Sequence, residues 1–355
     1  MPVPLPRIRA VTLVLALVAG FLLLASSAMA SSGALYTQTN DPNGNTVQRF
    51  DRAHDGSLTP AGTFATGGAG LAALGGRQGA VELSGDGRYL YAVNAGSDSV
   101  SVFRTGPRGT KLIDVVRSRG VAPASIDEHH GRVYVLNSGG TPSVTAYWRL
   151  PGGTLWPVAT RELASGAQGA AQVSVTPDGR SLVVSERLSN RLETLPLDAF
   201  GRPGRPVVTA SSGAVPFGFG ISPQGTIVVS EAGASTVSSY RLGRSGALGT
   251  VTASLAVGQG AACWVAVSPN GRFAYTGNAA GGISGFAIAR DGSLTAIGTT
   301  LLPSPRDLDF DDSGRFLQAV TAGGQVASYR VGNDGSLTLV GTAPAAAGIT
   351  GAAAL

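Results

Sequence analysis

Two glutamates in this sequence are placed where they could activate a water molecule. The segment Val-Val-Ser-Glu occurs twice, ending at Glu186 and at Glu231. Two carboxylates that lie close together raise each other's pKa, and a carboxylate with a raised pKa suits a general base that removes a proton from water. The alternative is that both are solvated surface acids or partners of arginines, as the neighbouring Arg187 would be for Glu186.

Arg306 is the candidate for stabilising negative charge in the same site. A guanidinium binds anions, and it can stabilise the oxyanion that forms when water attacks an ester carbonyl. The next residue, Asp307, is the alternative partner. An ion pair between Arg306 and Asp307 would give Arg306 a purely structural role.

Amide and aromatic side chains are candidates for holding a ring-shaped ligand beside these charges. The predicted ligand-binding residues are Gln78, Gln172, Phe217, Trp264, Asn94 and Asn278. Aromatic faces form apolar platforms, and amides bond to the polar atoms of a ligand. The structural alternatives are that the aromatic pair packs near the centre of the fold and that the asparagines bond to local backbone at strand ends.

Other chemistries have little support in the sequence. Cys263 is the single cysteine, and in its apolar surroundings it is expected to be a small buried hydrophobe rather than a nucleophile. His54, His129 and His130 all fall at predicted turns, and no group of Cys and His has metal-ligand spacing. The Gly-rich stretch 65–79 lacks the Gly-Lys-Ser/Thr ending of a phosphate loop. We therefore expect neither a metal nor a cofactor.

The charge content bears on whether the protein binds nucleic acid, and the N-terminal segment bears on its cellular location. The 355 residues have a formal net charge of +5, but only 13% are charged and no basic run occurs, so nucleic-acid binding is not expected.

Arg7 and Arg9 precede an apolar run and a small-x-small pattern at 28–30. Residues 1–30 are therefore predicted to be a signal peptide cleaved after Ala30, the alternative being an uncleaved membrane anchor. The mature chain is expected to be secreted, either extracellular or periplasmic, without membrane attachment.

A repeated turn predicts the fold class. One glycine turn recurs at intervals of 43 to 48 residues, at Gly87, Gly131, Gly179, Gly225, Gly271 and Gly314. A second glycine turn lies between these copies, at Gly56, Gly109, Gly153, Gly204, Gly246, Gly292 and Gly335. Asp-Gly or Asn-Gly between two apolar runs is a strong hairpin signal, because tight hairpins need positive φ. Four strands per repeat of about 45 residues predict an all-β propeller, in which each small sheet packs between its neighbours.

The unequal number of the two turns predicts how the ring closes. Six copies of the first turn and seven of the second place the chain ends inside one blade. Residues 34–40 match a second strand, and residues 348–355 match the missing first strand. We therefore predict one domain, residues 31–355, with seven blades of four antiparallel strands closed by pairing of the two terminal strands. A monomer is expected.

The strand order places the candidate residues on one face of the disc. The two glycine turns of every blade share one face, called here the turn face. The second strands end at the opposite face, called the link face because the connections between blades also lie there. These strand ends are Asn40, Asn94, Asn137, Glu186, Glu231, Asn278 and Thr321. Asn is typical of a structural strand end, so the two glutamates are the exceptions that suggest chemistry.

The repeat resembles that of the β-propeller lactonase family, which is related to 6-phosphogluconolactonase. The resemblance rests on Asp-Gly-Arg-Tyr-Leu-Tyr-Ala-Val-Asn at 86–94, on Asp-Gly-Ser-Leu-Thr at 291–295 and on the Tyr-Val-x-Asn form of 134–137. It covers nearly the whole mature chain. It implies a seven-bladed propeller and a lactonase-like activity.

The resemblance also bears on individual residues. Glu231 follows Ser230 as the family's glutamate follows an asparagine, and Pro305-Arg306 resembles the opening of the family's Pro-Arg-Gly. The stretches 169–172 and 215–219 stand where the family has histidines and an arginine, and they contain neither. The resemblance therefore implies a lactonase-like site that differs from the one acting on phosphorylated sugars.

Two functions from different classes follow from these observations. The first is a secreted hydrolase that opens an uncharged or weakly charged cyclic ester, with Glu231 or Glu186 as general base and Arg306 at the oxyanion. The second is a non-catalytic propeller that uses the same face to bind an extracellular ligand such as a glycan, a peptide or a protein. The paired glutamates favour the hydrolase, and the missing histidines favour the binding protein.

Overall fold

The protein is a ring of seven antiparallel sheets. A computed structural model describes residues 1–2, 32–72, 77–106 and 109–355, and these residues form 28 strands in seven four-stranded sheets. The predicted all-β, seven-bladed propeller is therefore confirmed. The predicted signal peptide lies outside the described residues, apart from its first two positions. Among the described residues, no helix has the length and apolar character needed to cross a bilayer.

The blades are numbered in chain order, and each is given from its inner to its outer strand. Blade one contains β28 (Thr350–Ala354), β1 (Gly33–Gln38), β2 (Thr46–Arg52) and β3 (Leu58–Ala65). Blade two contains β4 (Val81–Leu83), β5 (Tyr89–Asn94), β6 (Ser99–Arg104) and β7 (Lys111–Arg117). Blade three contains β8 (Val121–His129), β9 (Arg132–Gly139), β10 (Ser143–Arg149) and β11 (Leu155–Glu162).

The remaining four blades keep the same order. Blade four contains β12 (Ala170–Val175), β13 (Ser181–Glu186), β14 (Arg191–Pro196) and β15 (Val207–Ala210). Blade five contains β16 (Pro216–Ile221), β17 (Thr226–Glu231), β18 (Thr236–Leu242) and β19 (Leu248–Ala256). Blade six contains β20 (Gly260–Val267), β21 (Phe273–Ala280), β22 (Ile283–Ile288) and β23 (Leu294–Thr300). Blade seven contains β24 (Pro305–Phe310), β25 (Phe316–Thr321), β26 (Gln325–Val331) and β27 (Leu337–Pro344).

The two ends of the described propeller pair in blade one. Strand β28 lies antiparallel to β1, with Ala353 opposite Tyr36 and Thr350 opposite Gln38. The guanidinium of Arg52 donates to the main-chain oxygen of Leu355 at 3.1 Å. The C-terminal strand thus supplies the inner strand of the first blade, as the count of turns predicted.

In blades two and four the first turn is built by short polar side chains and a glycine. In blade two the Ser84 hydroxyl donates to Asp86 at 2.6 Å, and the Asp86 carboxylate accepts from the amide of Arg88 at 3.1 Å. Gly87 has φ 63°, a conformation that costs a residue with a side chain more than it costs glycine. The same contacts recur between Thr176 and Asp178 in blade four.

Apolar side chains fill the spaces between neighbouring blades. Between blades three and four, Tyr134 and Leu136 pack with Val173, Leu182 and Val184, all of them buried. Burial of each large apolar side chain stabilises the fold by about 1.5–3 kcal/mol. The outermost strands, by contrast, are largely exposed. The core is therefore a ring of layers between sheets, and the inner strands surround a central channel.

Candidate functional site

Side chains of the inner strands bond to the backbone of the next inner strand around the channel. The Gln172 amide donates to the carbonyl oxygen of Phe219 at 2.9 Å and accepts from the Phe219 amide at 2.7 Å. Asp307 accepts from the amide of Ala352 at 3.0 Å. Gln172 was predicted to bind a ligand and Asp307 to pair with Arg306. In the structure both side chains join adjacent blades.

Gln78 crosses the channel. Its amide oxygen accepts from the backbone amide of Val265 at 2.9 Å, and its nitrogen donates to the Val265 carbonyl oxygen. This links blade two to blade six. The crossing requires a glycine opposite, because a Cβ at Gly218 would lie 2.1 Å from the Gln78 side-chain oxygen. Both polar ends of Gln78 are thus engaged with backbone rather than free for a ligand.

Glu186 lies in a fully buried ionic cluster between blades three and four. Its carboxylate accepts from the Arg191 guanidinium at 3.0 and 3.1 Å, and it also accepts from the Ser189 hydroxyl. Arg191 pairs in addition with the buried Glu193 at 3.0 Å. Burial, followed by the contact with Glu186, raises the pKa of Glu193. The ion-pair partner of Glu186 is therefore Arg191, directly opposite on β14, and not Arg187.

Glu231 holds the connection between blades four and five. Its carboxylate accepts from the amide of Gly213 at 2.7 Å, the Ser238 hydroxyl at 2.7 Å and the Thr236 hydroxyl at 2.6 Å. The Ser211 hydroxyl donates to it at 3.2 Å. The side chain is fully buried. As with Glu186, its oxygens are turned toward neighbouring protein groups and not toward the channel mouth.

The asparagines at the same strand ends have equivalent surroundings. Asn94 donates to the Ser101 hydroxyl at 2.7 Å and accepts from Asn45 at 3.0 Å. Asn278 donates to the Ser284 hydroxyl at 2.9 Å and to Gln259 at 3.1 Å. Both asparagines are fully buried. The structure therefore gives the strand-end position a common structural setting, in asparagine and glutamate blades alike.

An aromatic pair and a cysteine form a buried cluster on the inner strands of blades five and six. Phe217 and Trp264 meet edge to face with ring centroids 5.9 Å apart, and Cys263 completes the cluster. The guanidinium of Arg187 lies 5.3 Å from the centre of the Phe217 ring. Burial raises the pKa of the Cys263 thiol to about 11, so the thiol is neutral and weakly nucleophilic.

Three arginines surround this cluster without an acidic partner. None of Arg77, Arg187 and Arg306 forms a salt bridge within the described part of the chain. Arg77 is 5% exposed, and its Nε, like that of Arg187, is buried without a hydrogen-bond acceptor. Burial, reinforced by the charge of Arg187, lowers the pKa of Arg77 to about 10. Unpaired guanidinium groups of this kind attract an anion.

Arg306 also borders a ligand-sized cavity on the link face, between blades seven and one. The cavity has a volume of about 380 Å³, and its wall includes Asn40, Asp41 and the segment 346–349. One carboxylate oxygen of Asp41 accepts from the amide of Asn43 at 2.8 Å. Arg306 and Asp41 do not form an ion pair. A cation and an anion thus share one cavity with room between them for a small ring.

The interior of the channel is acidic, in contrast to its mouth. A cavity of about 210 Å³ is bordered by Glu82, Asp127, Asp307 and Asp309. Burial raises the pKa of Asp127 to about 6 and that of Asp309 to about 7, and it raises the pKa values of Glu82 and Asp307 well above their ordinary values. The described residues contain no cluster of His, Cys, Asp or Glu suited to a metal ion.

Sequence reasoning missed Asp41, Arg77 and Arg187 as site residues. The signal for Arg187 lies one position beyond the aligned strand ends. In blades two to seven that position is occupied by Ala95, Ser138, Arg187, Ala232, Ala279 and Ala322. Because side chains alternate along a strand, the residue after a buried strand end points elsewhere, and among these six residues Arg187 alone is charged. Asp41 has no such signal, because β1 ends at Gln38 and Asp41 lies in the connection to β2.

A family model covers most of this chain. The model is described as lactonase, 7-bladed beta-propeller, and it matches residues 42–150, 129–265 and 259–350. No curated protein sequence matches the chain. The sequence match thus rests on the family model, and similarity to individual proteins comes from their structures.

Solved structures with the same fold come from proteins of different function. A candidate 6-phosphogluconolactonase from Bacteroides uniformis superposes with a TM-score of 0.76 at 17% identity, covering 91% of this chain and 99% of the other. The periplasmic gluconolactonase of Pseudomonas aeruginosa has a TM-score of 0.71 at 18% identity, covering 91% and 99%. Hydrazine synthase of Kuenenia stuttgartiensis reaches 0.59 at 18% identity, covering 86% and 94%. At these identities the similarity establishes the fold alone.

Proposed function

Because the chain belongs to the lactonase family of seven-bladed β-propellers, we propose that it is a lactonase-like hydrolase that opens a cyclic ester at the link-face mouth of the channel. The observation that carries the proposal is the cavity bordered by both Arg306 and Asp41, which do not pair with each other. A guanidinium and a carboxylate on one ligand-sized cavity are the two groups that ester hydrolysis needs.

In the proposed reaction, Asp41 first accepts a proton and later returns it, and Arg306 stabilises the intermediate between these two steps. Asp41 takes a proton from water as the water oxygen adds to the ester carbonyl, and Arg306 stabilises the resulting oxyanion. The ring C–O bond then breaks, and the leaving alkoxide takes the proton from Asp41. The product is a hydroxy acid. The new carboxyl group releases its proton to solvent, and the resulting carboxylate remains beside Arg306 until the product dissociates.

The substrate class follows from the two further arginines. Arg77 and Arg187 have no acidic partner among the described residues, and each has a buried Nε without an acceptor. They favour a cyclic ester that carries an acidic group. This differs from the uncharged or weakly charged ester expected from the sequence, because that expectation rested on the missing family histidines and arginine and on export. Phe217 and Trp264 would provide the apolar wall beside the acidic group.

The roles of Glu186 and Glu231 as general base remain a prediction from the sequence. Both carboxylates are fully buried and accept hydrogen bonds from neighbouring protein groups. A base needs an oxygen that water can reach. Asp41 is exposed, and it is therefore the base that we place in the mechanism.

The experiment is a lactone panel followed by pH-stat titration of the released acid. The panel contains an aldonic acid δ-lactone, a plain γ-lactone and a γ-lactone bearing a carboxylate. We expect turnover of the carboxylated compound. Asp41→Asn and Arg306→Gln should each lower kcat/KM by about 10²–10³-fold, as expected for loss of a general base or of an oxyanion donor.

Asp334→Asn is the matched control. Asp334 is exposed and accepts from the amide two residues ahead at 3.0 Å, as Asp41 does, but it belongs to a glycine turn on the turn face. It should leave turnover unchanged. The proposal fails if no lactone is hydrolysed, or if Asp41→Asn and Asp334→Asn are equally active.

The second candidate function is a binding propeller without turnover. The engagement of both glutamates and the absence of histidine from the link face among the described residues favour it. The same arginines would then hold an acidic ligand. Calorimetric binding of a carboxylated hydroxy acid that is lost in Arg187→Gln, together with no hydrolysis of any lactone, would establish this function in place of the first.

Export of the protein is a separate proposal. It rests on the charged start, apolar run and small-x-small pattern of residues 1–30. Expression of the full chain in a bacterial host and mass spectrometry of the purified protein give the test. A mature N-terminus at Ser31 is expected, and an intact chain that stays with the membrane would indicate the uncleaved anchor.

A further inference from the structure

Two of the three tryptophans lie side by side on the outside of blade three. Trp148 on β10 is directly opposite Trp156 on β11, which places their Cβ atoms about 5 Å apart. The two side chains are 40% and 60% exposed. Phe200, from the loop that follows β14, is 57% exposed. Exposed aromatic rings that lie together mark an interaction site more often than isolated apolar residues do.

The loop that carries Phe200 is held firmly against blade three. The indole nitrogen of Trp148 donates to the Phe200 carbonyl oxygen at 3.0 Å, and Arg132 donates to the Ala199 carbonyl oxygen at 2.9 Å. Asp198 accepts from the amides of Phe200 and Arg202, each at 2.9 Å. These hydrogen bonds fix the Trp148 indole and the loop backbone at Phe200 relative to each other, which reduces the entropy lost when a ligand binds to them.

A groove lies between the two elements that carry Trp156 and Phe200. Its volume is about 580 Å³, and it lies between β11 and the segment 196–204. Arg161, Asp198 and Arg202 supply hydrogen-bonding groups along it. Asp198 and Arg202 form an ion pair at 2.6 Å, which leaves Arg161 without an acidic partner in the lining. The groove thus combines donors and acceptors with one net positive charge.

We propose that this aromatic patch, formed by Trp148, Trp156 and Phe200, binds a neutral carbohydrate chain. Sugar rings have an apolar C–H face that stacks on aromatic rings and a rim of hydroxyl groups that needs hydrogen-bond partners. The patch provides both. One net positive charge is too little to favour nucleic acid or an anionic membrane surface, which are bound by clusters of basic residues. The presence of charged groups among the rings also differs from the continuous apolar core of a protein interface.

The patch is separate from the proposed hydrolase site. Trp148 and Trp156 flank the glycine turn of Gly153 on the turn face, whereas Arg306 and Asp41 border the link face. Carbohydrate binding therefore does not depend on turnover of a lactone. It would anchor the protein to a glycan while leaving the channel mouth open.

The test is isothermal titration with neutral hexasaccharides of β-1,4-linked glucose, N-acetylglucosamine, mannose and xylose. We expect at least one to bind and to change the tryptophan fluorescence. Trp156→Ala and Phe200→Ala should each weaken that binding at least tenfold. Leu301→Ala, a change at a side chain that is 92% exposed elsewhere on the surface, is the control and should bind as the wild type does.

Three results would overturn the proposal. One is the absence of binding to every hexasaccharide at millimolar concentration. Another is unchanged binding in both Trp156→Ala and Phe200→Ala, with urea unfolding showing that the variants are folded. The third is self-association in sedimentation that disappears in Trp156→Ala, because the occupant of the patch would then be a second copy of the chain.

Discussion

At the scale of single residues, burial and hydrogen bonding separate the glutamates from the groups placed in the mechanism. Glu186 and Glu231 are fully buried among donors, whereas Asp41 and Arg306 border an open cavity. A carboxylate can be either structural or catalytic, and the sequence does not reveal which hydrogen-bond donors surround it in the fold. The position after each strand end, by contrast, distinguishes Arg187 in the alignment of the repeats, although the sequence analysis did not use it.

Replacement of the strand-end glutamates should affect stability more than turnover. In Glu231→Gln the new side-chain NH2 group would face another donor, either the Gly213 backbone amide or a hydroxyl group. In the wild type the carboxylate accepts from both. Loss of a buried hydrogen bond costs about 1–3 kcal/mol. We expect urea unfolding to show a loss of this size, with kcat/KM for the carboxylated lactone within about threefold of wild type. Wild-type stability combined with lost turnover would instead identify Glu231 as the base.

The channel carboxylates predict how stability depends on pH. Burial raises the pKa of Asp309 to about 7 from an ordinary value of 3.8, so the folded state holds its proton at pH values where the unfolded chain has released it. The contribution to stability is complete below about pH 4 and is lost as the pH rises toward 7. The free energy of unfolding should therefore fall between pH 4.5 and 7.5, by about 3 kcal/mol from this group.

Asp309→Asn should remove part of that slope. The amide side chain carries no proton that is lost in this range, so denaturation midpoints measured at pH 4.5, 6 and 7.5 should lie closer together than in wild type. Asp334→Asn, at an exposed turn, is the control and should keep the wild-type slope. An identical slope in Asp309→Asn and wild type would show that Asp309 does not titrate as described.

At the scale of strands and connections, the sequence predicted what is local and repeated. The glycine turns identified four strands per blade, and their unequal number predicted the pairing of β28 with β1. The ion pair of Glu186 with Arg191 was not predicted, since the sequence analysis named Arg187, although the two residues are directly opposite in the hairpin register. The contact of Gln78 with Val265 spans 187 positions of the chain and joins opposite sides of the ring. No local pattern reports such a contact.

The C-terminal strand should carry much of the stability of the ring. Deletion of residues 350–355 removes the inner neighbour of β1 and exposes the apolar cluster around Leu35 and Val320. Lost backbone hydrogen bonds and lost burial should together cost more than about 4 kcal/mol. Thermal unfolding should show a large drop in Tm, whereas removal of Leu355 alone should cost much less. A small, equal effect of the two truncations would mean that the ring does not depend on this strand.

At the scale of the whole molecule, charge is distributed along the channel axis. Arg77, Arg187 and Arg306 surround the link-face mouth, and the carboxyl groups of Glu82 and Asp309 lie inside. This separation attracts an acidic ligand to the mouth and disfavours its passage further in. The arginines come from three different blades, so they are brought together only by ring closure. For this reason, the arrangement could not be predicted from spacing along the chain.

The location of substrate binding is tested most directly by a crystal structure of Asp41→Asn soaked with a carboxylated γ-lactone. This variant should bind the lactone without opening it. We predict electron density for the intact ring in the cavity beside Arg306, with its carboxylate directed toward Arg187. A lactone bound on the turn face or inside the acidic channel, with the link-face cavity empty, would contradict the proposed site.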